Sequence, residues 1–264
     1  MIPKIIHYCW FGNNEKSELA KLCIESWHRY CPEYIFIEWN ESNFNIAMND
    51  YIKEAYEAKK WAFVTDYVRL YVLYNFGGVY LDTDVELIKS IDPLLIHNAY
   101  AGYETENTIS TGQVGAVAGN RWIKQCIDCY EGRHFLLKNG KYDETTNVEL
   151  ISNCTSSVYD IKLNGKKRDL GEVILYPKNF FSPKNPLSGK MTDLTGNTYS
   201  IHHFAGSWLS EEEQEKKRRL ERYRKYVGWW FGLQMAEFSM SYEEQGIEGV
   251  FRLLIEKIEK KYRF

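Results

Sequence analysis

Trp61-Ala-Phe-Val-Thr-Asp-Tyr-Val-Arg-Leu-Tyr-Val-Leu-Tyr-Asn-Phe76, followed by Gly77-Gly-Val-Tyr-Leu-Asp-Thr-Asp-Val-Glu86, sets the frame for the rest of the chain. The first part is apolar on nearly every side, which predicts a buried helix, yet it carries Asp66 and Arg69 on one face. Charges are rarely buried without a partner or a task. Gly77 and Gly78 suit the end of a helix, and Val79-Tyr80-Leu81 reads as a short interior strand with Asp82 and Asp84 at its carboxyl end.

If the backbone stays extended, residues two apart point the same way, so both carboxylates face one spot just beyond the sheet. Two such charges about 4 Å apart repel by about 4 kcal/mol at an effective dielectric of about 20, which calls for a cation or a proton between them. A divalent metal with oxygen ligands fits that need, and the carboxyl edge of an open α/β sheet is where such folds bind ligands. An acidic pair alone also occurs in solvated turns; the buried strand and the charged apolar helix before it make the site reading the stronger one.

Outward from this stretch, Lys4 to Trp10 and Tyr34 to Trp39 read as strands, and Ser17 to Tyr30 and Asn49 to Lys60 as helices. Strand, helix, strand, helix, strand within the first third of the chain is a Rossmann-like nucleotide-binding half. Neither Gly-x-Gly-x-x-Gly after the first strand nor Gly-x-x-x-x-Gly-Lys-Ser/Thr occurs, which argues against dinucleotide dehydrogenases and P-loop enzymes. Trp10 falls at the same sheet edge as the acids, as a core ring or one on which a base stacks.

Further on, Ala99 to Tyr103 is a candidate strand, Thr105 to Gly115 a polar loop, lining a pocket or lying on the surface, Arg121 to Tyr130 a helix and Val173 to Tyr176 a strand. Lys162 to Arg168 reads as a basic hairpin tip, and Glu149 to Asp160 carries no decisive signal. The 264 residues, at a net charge of -3, can bury a sizeable core and exert no global attraction on nucleic acid. Six cysteines without framework spacing read as reduced, mostly buried thiols of a cytosolic protein. Met1-Ile-Pro-Lys-Ile-Ile6 runs straight into a strand, so no leader is expected, and no apolar run approaches the length of a membrane span.

Thr198-Tyr-Ser-Ile-His-His-Phe-Ala-Gly-Ser-Trp208 is the second informative stretch. A short strand delivers His202 and His203, whose side chains point to opposite faces, so one imidazole can join the acids as a third metal ligand while the other packs or hydrogen-bonds. Gly206 permits close approach of a pyrophosphate to the backbone.

Pro3-Lys4-Ile5-Ile6-His7 with Trp10 and Gly12, Ala62 with Thr65, Asp66 and Arg69, Gly77 to Asp84, and Ile201-His202-His203 with Gly206-Ser207-Trp208 together resemble glycosyltransferase family 32. The resemblance covers residues 2–86 closely and 199–208 well. It implies a GT-A fold of the α/β class over 1–209 with a C-terminal helical extension over 210–264. It also implies a nucleotide-diphosphate sugar donor, UDP-linked by preference, a manganese or magnesium ion, and retention of anomeric configuration.

By the same resemblance Trp10 looks like the base-stacking ring, and Phe11, Gly12, Thr65, Gly78, Tyr80, Gly206, Ser207 and Trp208 like further donor contacts. Asp66 and Arg69 look like contacts to the sugar hydroxyls, and Asp66, Arg69 and Asp82 like the catalytic group. Asp82 and Asp84 look like metal ligands, and similarity of His203-Phe-Ala-Gly206 to the His-Phe-x-Gly of family 8 transferases selects His203 as the third. The resemblance further implies attack by the acceptor hydroxyl from the leaving-group side, with a phosphate oxygen taking its proton.

The implied acceptor is a saccharide or lipid-linked oligosaccharide, as in capsule or lipopolysaccharide synthesis. The tail, acidic from Glu211 to Glu215 and basic from Lys216 to Lys225 before Trp229-Trp230-Phe231, suits a solvated helix or docking on an anionic membrane at its inner face. Gly246 to Tyr262 is amphipathic and suits packing on the domain or a homodimer. Two rivals stand beside this reading: a haloacid-dehalogenase-like phosphatase using Asp82 and Asp84, and a non-catalytic sugar-binding scaffold.

Overall fold

The computed structural model describes residues 1–185, 189–206 and 211–262. The chain divides into two compact units, Met1–Ala205 and Gly206–Phe264. In the first, β1 (Ile5–Cys9), α1 (Glu18–Tyr30), β2 (Ile35–Trp39), α2 (Asp50–Glu57), α3 (Trp61–Phe76) and β3 (Gly78–Leu81) form the predicted alternating half. Then come β4 (Val85–Leu87), β5 (Ala99–Tyr103), β6 (Ile109–Ala116), α4 (Arg121–Asp128), α5 (Asn147–Val158), β7 (Arg168–Asp169), β8 (Ile174–Tyr176) and β9 (Ser200–His202).

Local chemistry sets the helix starts. The side chains of Ser17, Asn49, Asn120 and Thr146 each accept a backbone N–H from the first turn of α1, α2, α4 and α5 respectively. Thr146 also explains why the stretch around Glu149 is helical although its composition carries no decisive signal. The expected helix from Asn49 to Lys60 ends at Glu57, and α3 begins separately at Trp61.

The main sheet has seven strands in the order β2-β1-β3-β6-β5-β8-β7. β2, β1, β3, β5 and β8 run one way, while β6 and β7 run against them. The mixed α/β class is therefore as expected, but the polar stretch expected as a loop over 105–115 is mostly strand. β6 is buried along its whole length, and its Ser, Thr, Gly and Gln residues are hidden among neighbours rather than exposed. β4 and β9 pair in a separate two-stranded sheet, with Val85 opposite His202.

Core side chains cover both faces. One cluster packs Tyr51, Val64, Val68, Trp122 and Tyr130, and the other packs Ile6, Trp27, Val79, Leu81 and Phe181. Each such side chain contributes roughly 1.5–3 kcal/mol by leaving water. All six cysteines are free thiols.

His7, fully buried, ties the strands to the end of α3. Trp39 Nε1–H donates to its Nδ1 at 3.1 Å, so its Nε2–H donates to the Gly77 carbonyl at 2.8 Å. Burial pushes the imidazole pKa below its usual value and keeps it neutral. Gly78 follows with φ +109, and a Cβ there would lie 2.7 Å from the Ile5 carbonyl oxygen. Gly78 therefore serves the crossing of β3 on β1, at the end of β3 remote from Asp82, and not donor binding as expected.

In the second unit α6 is helical over Glu211–Tyr262, spanning both helices expected there. Lys216 nevertheless reaches Glu237 at 2.7 Å, although 21 residues of straight helix would separate them by about 31 Å, so the segment reverses direction between them. Ile247, Phe251 and Ile255 are exposed. The side chains of Trp229, Trp230 and Phe231 lie outside those described.

Gly78→Ala is expected to lower unfolding free energy by about 1–3 kcal/mol or more in urea melts, whereas Gly119→Ala, where a Cβ meets open space, is expected to cost about 1 kcal/mol. An equal loss at both would contradict the crowding at Gly78. A folded-state pKa below the unfolded value makes His7 stabilising above about pH 6.5 and progressively less so below it, because only the unfolded chain then takes the proton. The fall in urea midpoint from pH 7 to 5 is therefore expected to be shallower in His7→Gln than in the wild type.

Candidate active site

α3 passes behind the carboxyl edge of the sheet and presents Arg69 to it, only 4 % exposed. Its Nε–H donates to the Thr65 carbonyl at 3.2 Å, and Nη2 donates to Asp66 Oδ1 at 2.9 Å and to Thr65 Oγ1 at 3.2 Å. Nη1 reaches Asp82 Oδ1 at 3.1 Å and the Thr111 carbonyl at 2.8 Å. A guanidinium has five N–H bonds, and protein acceptors occupy all of them. Arg69 is thus a strut between carboxylates here, and not the free contact to sugar hydroxyls that was expected.

The Tyr80 ring lies beneath the guanidinium at 4.8 Å, and its hydroxyl donates to Asp82 Oδ1 at 3.0 Å. Burial lifts the Asp66 carboxyl to about 6 in spite of the neighbouring Arg69 charge. Against the pull of burial, the Asp82 charge first and Tyr80 and Asp66 after it push the Arg69 pKa upward.

The two acids converge through a turn and not, as expected, through an extended strand. The Val85 N–H donates to the Asp82 carbonyl at 2.9 Å, closing Asp82-Thr83-Asp84-Val85. Asp84 Oδ2 accepts the Ala205 N–H at 2.7 Å, and its carbonyl accepts the His203 N–H at 2.9 Å. These bonds dock the end of β9 against the turn.

The imidazole that joins the acids is His202, with Nε2 3.3 Å from Asp84 Oδ1. His203, the residue expected there, turns to the other side and hydrogen-bonds Glu86 Oε2 at 2.8 Å. Alternation beyond β9 separates the two rings, and the β4 register sets which one meets the acids. Burial disfavours a charged His202, but Asp84 outweighs it and raises the imidazole to about 9, while Asp84 itself is held well below the usual carboxylate range. Phe204 stacks on the His202 ring at 4.1 Å.

Asp82, Asp84 and His202 each bring a ligand atom within 4.8 Å of the others. His202 Nδ1 is buried without a hydrogen-bond partner. Two carboxylates and an imidazole suit manganese or magnesium, whose opposed ligands stand about 4.2 Å apart, so the residues fit such an ion with little closing movement. Gly112 of β6 makes the space: a Cβ there would lie 2.9 Å from His202 Cε1 and 3.2 Å from Asp82 Oδ2.

Of the remaining expected residues, Trp10 is partly exposed just past β1, with Nε1–H donating to the Asn14 carbonyl at 2.7 Å. Phe11 is instead buried against Phe44, and Gly12 lies over the Trp61 indole, with its N–H bonded to Glu41. Thr65 faces Arg69, and Gly206 has φ +73. Ser207 and Trp208 lie outside the described residues. Thr111 and His202 complete the cluster without having been singled out as its members, and Glu104, whose charge favours the protonated His202, carries no motif of its own.

Residues 17–101 match the family described as "Glycosyltransferase sugar-binding region containing DXD motif". The chain is 30% identical over 141 residues to inositol phosphoceramide mannosyltransferase 3 of Schizosaccharomyces pombe, covering 48% of this chain and 36% of that protein. It thus spans about a third of that relative's length. An uncharacterized glycosyltransferase of Acanthamoeba polyphaga mimivirus is 26% identical over 200 residues, covering 70% of this chain and 77% of its own. Among solved structures, PaToxG glycosyltransferase is similar at 16% identity with a TM-score of 0.46, over 60% of this chain and 70% of that one. The turn from Asp82 to Asp84 falls inside the family match, and over residues 17–101 this chain is similar to glycosyltransferases with a sugar-binding region of the DXD type.

Proposed function

We propose that this chain is a retaining, metal-dependent hexosyltransferase. It moves a hexose from a nucleotide-diphosphate sugar to a saccharide or lipid-linked oligosaccharide acceptor in surface polysaccharide synthesis. The observation that carries the reading is the convergence of Asp82, Asp84 and His202 at the carboxyl edge of the sheet. These three would hold manganese or magnesium, which when bound neutralises the diphosphate as it departs.

Arg69 and Tyr80 fix Asp82, so that its carboxylate faces the ion in one orientation. Asp66 lies on the other side of Arg69, placed to accept a hydroxyl of the donor sugar. Trp10, partly exposed at the same edge, offers a ring for the base. A UDP-linked donor is preferred, and GDP-mannose follows, a choice supported by the mannosyltransferase among the relatives. A phosphatase that uses Asp82 as nucleophile is disfavoured, because that carboxylate is held by a buried arginine and a tyrosine.

No helix among the described residues is long and apolar enough to cross a membrane. We place the chain in the cytoplasm, with 1–209 as the transferase domain and 210–264 as an extension. Exposed Ile247, Phe251 and Ile255 support docking of that extension on the inner membrane face or against a second copy.

The reading is tested by melting the protein with UDP-glucose, UDP-galactose or GDP-mannose, with and without manganese. One donor at a hundredfold excess over its dissociation constant is expected to add about 2.7 kcal/mol of stability only when manganese is present, and Asp84→Ala to abolish the gain. No response to any donor would remove the reading. In the same assay His202→Ala is expected to lose the metal-dependent gain and His203→Ala to keep most of it; the reverse pattern would return the ligand role to His203.

A further inference from the structure

The chain that follows β8 runs alongside β9 and brings a lysine to the segment that docks on the acids. The Tyr199 N–H donates to the Phe180 carbonyl at 2.7 Å, the Ser200 hydroxyl to the Phe181 carbonyl at 3.2 Å, and Lys184 Nζ to the His203 carbonyl at 3.1 Å. The Pro183 carbonyl accepts the N–H groups of Thr192 and Asp193 at 3.0 and 3.2 Å, and Lys184 itself bridges to Met191. The backbone that carries the lysine is therefore held from both sides.

His203 is bonded through its own N–H to the Asp84 carbonyl, and only Phe204 separates it from Ala205, whose N–H donates to Asp84 Oδ2. Phe204 has φ +54, a left-handed conformation that costs a bulky residue free energy and persists only where its surroundings hold it. Lys184 is half-buried, and no carboxylate among the described residues forms an ion pair with it, whereas Lys178 is paired with Asp193 at 2.7 Å. Lys89 lies at the other end of β4, bonded to the Gly196 carbonyl at 2.6 Å and set over the Tyr199 ring.

Sugar transfer from a nucleoside diphosphate creates a need for a cation at this edge, because the phosphate that carried the sugar gains negative charge as the bond breaks. Arg69 cannot answer it, since protein acceptors take all five of its N–H groups. His202 cannot answer it either, since an imidazole that serves as a metal ligand is neutral. The Lys184 ammonium has three N–H bonds and gives one to the His203 carbonyl, which leaves two for phosphate oxygens.

Resting on the transferase reading above, we propose that Lys184 binds the β-phosphate of the nucleotide sugar and takes up the charge that develops there as the sugar departs. In that step the bond from the anomeric carbon to the diphosphate oxygen breaks, and its electron pair stays on the oxygen. The acceptor oxygen bonds to the same carbon, and its hydroxyl proton passes to a phosphate oxygen of the leaving group. Lys184 keeps its own proton throughout and acts as a charged hydrogen-bond donor.

The test uses the full chain, Lys184→Gln and Lys184→Arg, and reads binding rather than turnover. Glutamine keeps a donor for the His203 carbonyl without the charge, and arginine keeps the charge. Manganese is titrated into each protein alone, and UDP and GDP are then titrated calorimetrically in its presence, with the tighter-binding nucleotide followed. Lys184→Gln is expected to bind manganese as the wild type does and the nucleotide about 10-fold or more weakly, with Lys184→Arg within about threefold of wild type. Nucleotide affinity of Lys184→Gln within about threefold of wild type would overturn the proposal. So would a comparable loss in Lys184→Arg, because charge would then not be what matters. Weaker manganese binding by Lys184→Gln would also overturn it, by making Lys184 a positioning residue for the Asp84 turn. A wild-type chain that binds manganese but neither nucleotide removes the transferase reading itself.

Discussion

The buried guanidinium of Arg69 is the constraint on which the site depends. It joins α3 to the Asp82 turn and, through the Thr111 carbonyl, to β6, so a helix and two strands are fixed relative to one another by one planar group. Taking a charge out of water is expensive, and the expense is offset only because every N–H has an acceptor and two of those acceptors are carboxylates. Without it the buried Asp66 carboxyl, already raised by burial, would lose the charge that opposes its protonation. This edge of the sheet is therefore a charge-balanced assembly before any ligand arrives.

That balance continues outward. Beyond Asp82 the Asp84 carboxylate stands against the His202 imidazole, and Glu86 is hydrogen-bonded to His203 on the opposite side. β4 and β9 hold these pairs in register apart from the main sheet. The outer part of the site is thus built on two short strands, while the inner part stands on the core of the first unit.

Much of this was legible in the residues. The alternating first half and the acids at the end of β3 follow from apolar runs, glycines and spacing, which are local signals. β6 escaped because its Ser, Thr, Gly and Gln residues look like a surface loop, and only non-local burial between β3 and β5 makes them a strand. The choice between His202 and His203 escaped because it is a matter of register, and register is fixed by pairing with β4, more than a hundred residues earlier. Gly78 was read as a donor contact from the family resemblance; a strand's length places it at the end of β3 away from the acids. Arg69 stood out as a charge on an apolar helix, but how many of its hydrogens remain for a ligand is a three-dimensional question.

The pairing of β4 with β9 has a consequence for the order in which the protein is made. It is a long-range closure, which is slow to form compared with the helices and neighbouring strands before it. During synthesis from the amino end, α3, β3 and the Asp82 turn emerge first and can fold around Arg69, whereas His202 appears only near the close of the first unit. The nascent chain thus passes through a stage with both acids in place and the imidazole missing. The arrival of His202 beside the two acids marks the moment when the first unit has closed on itself.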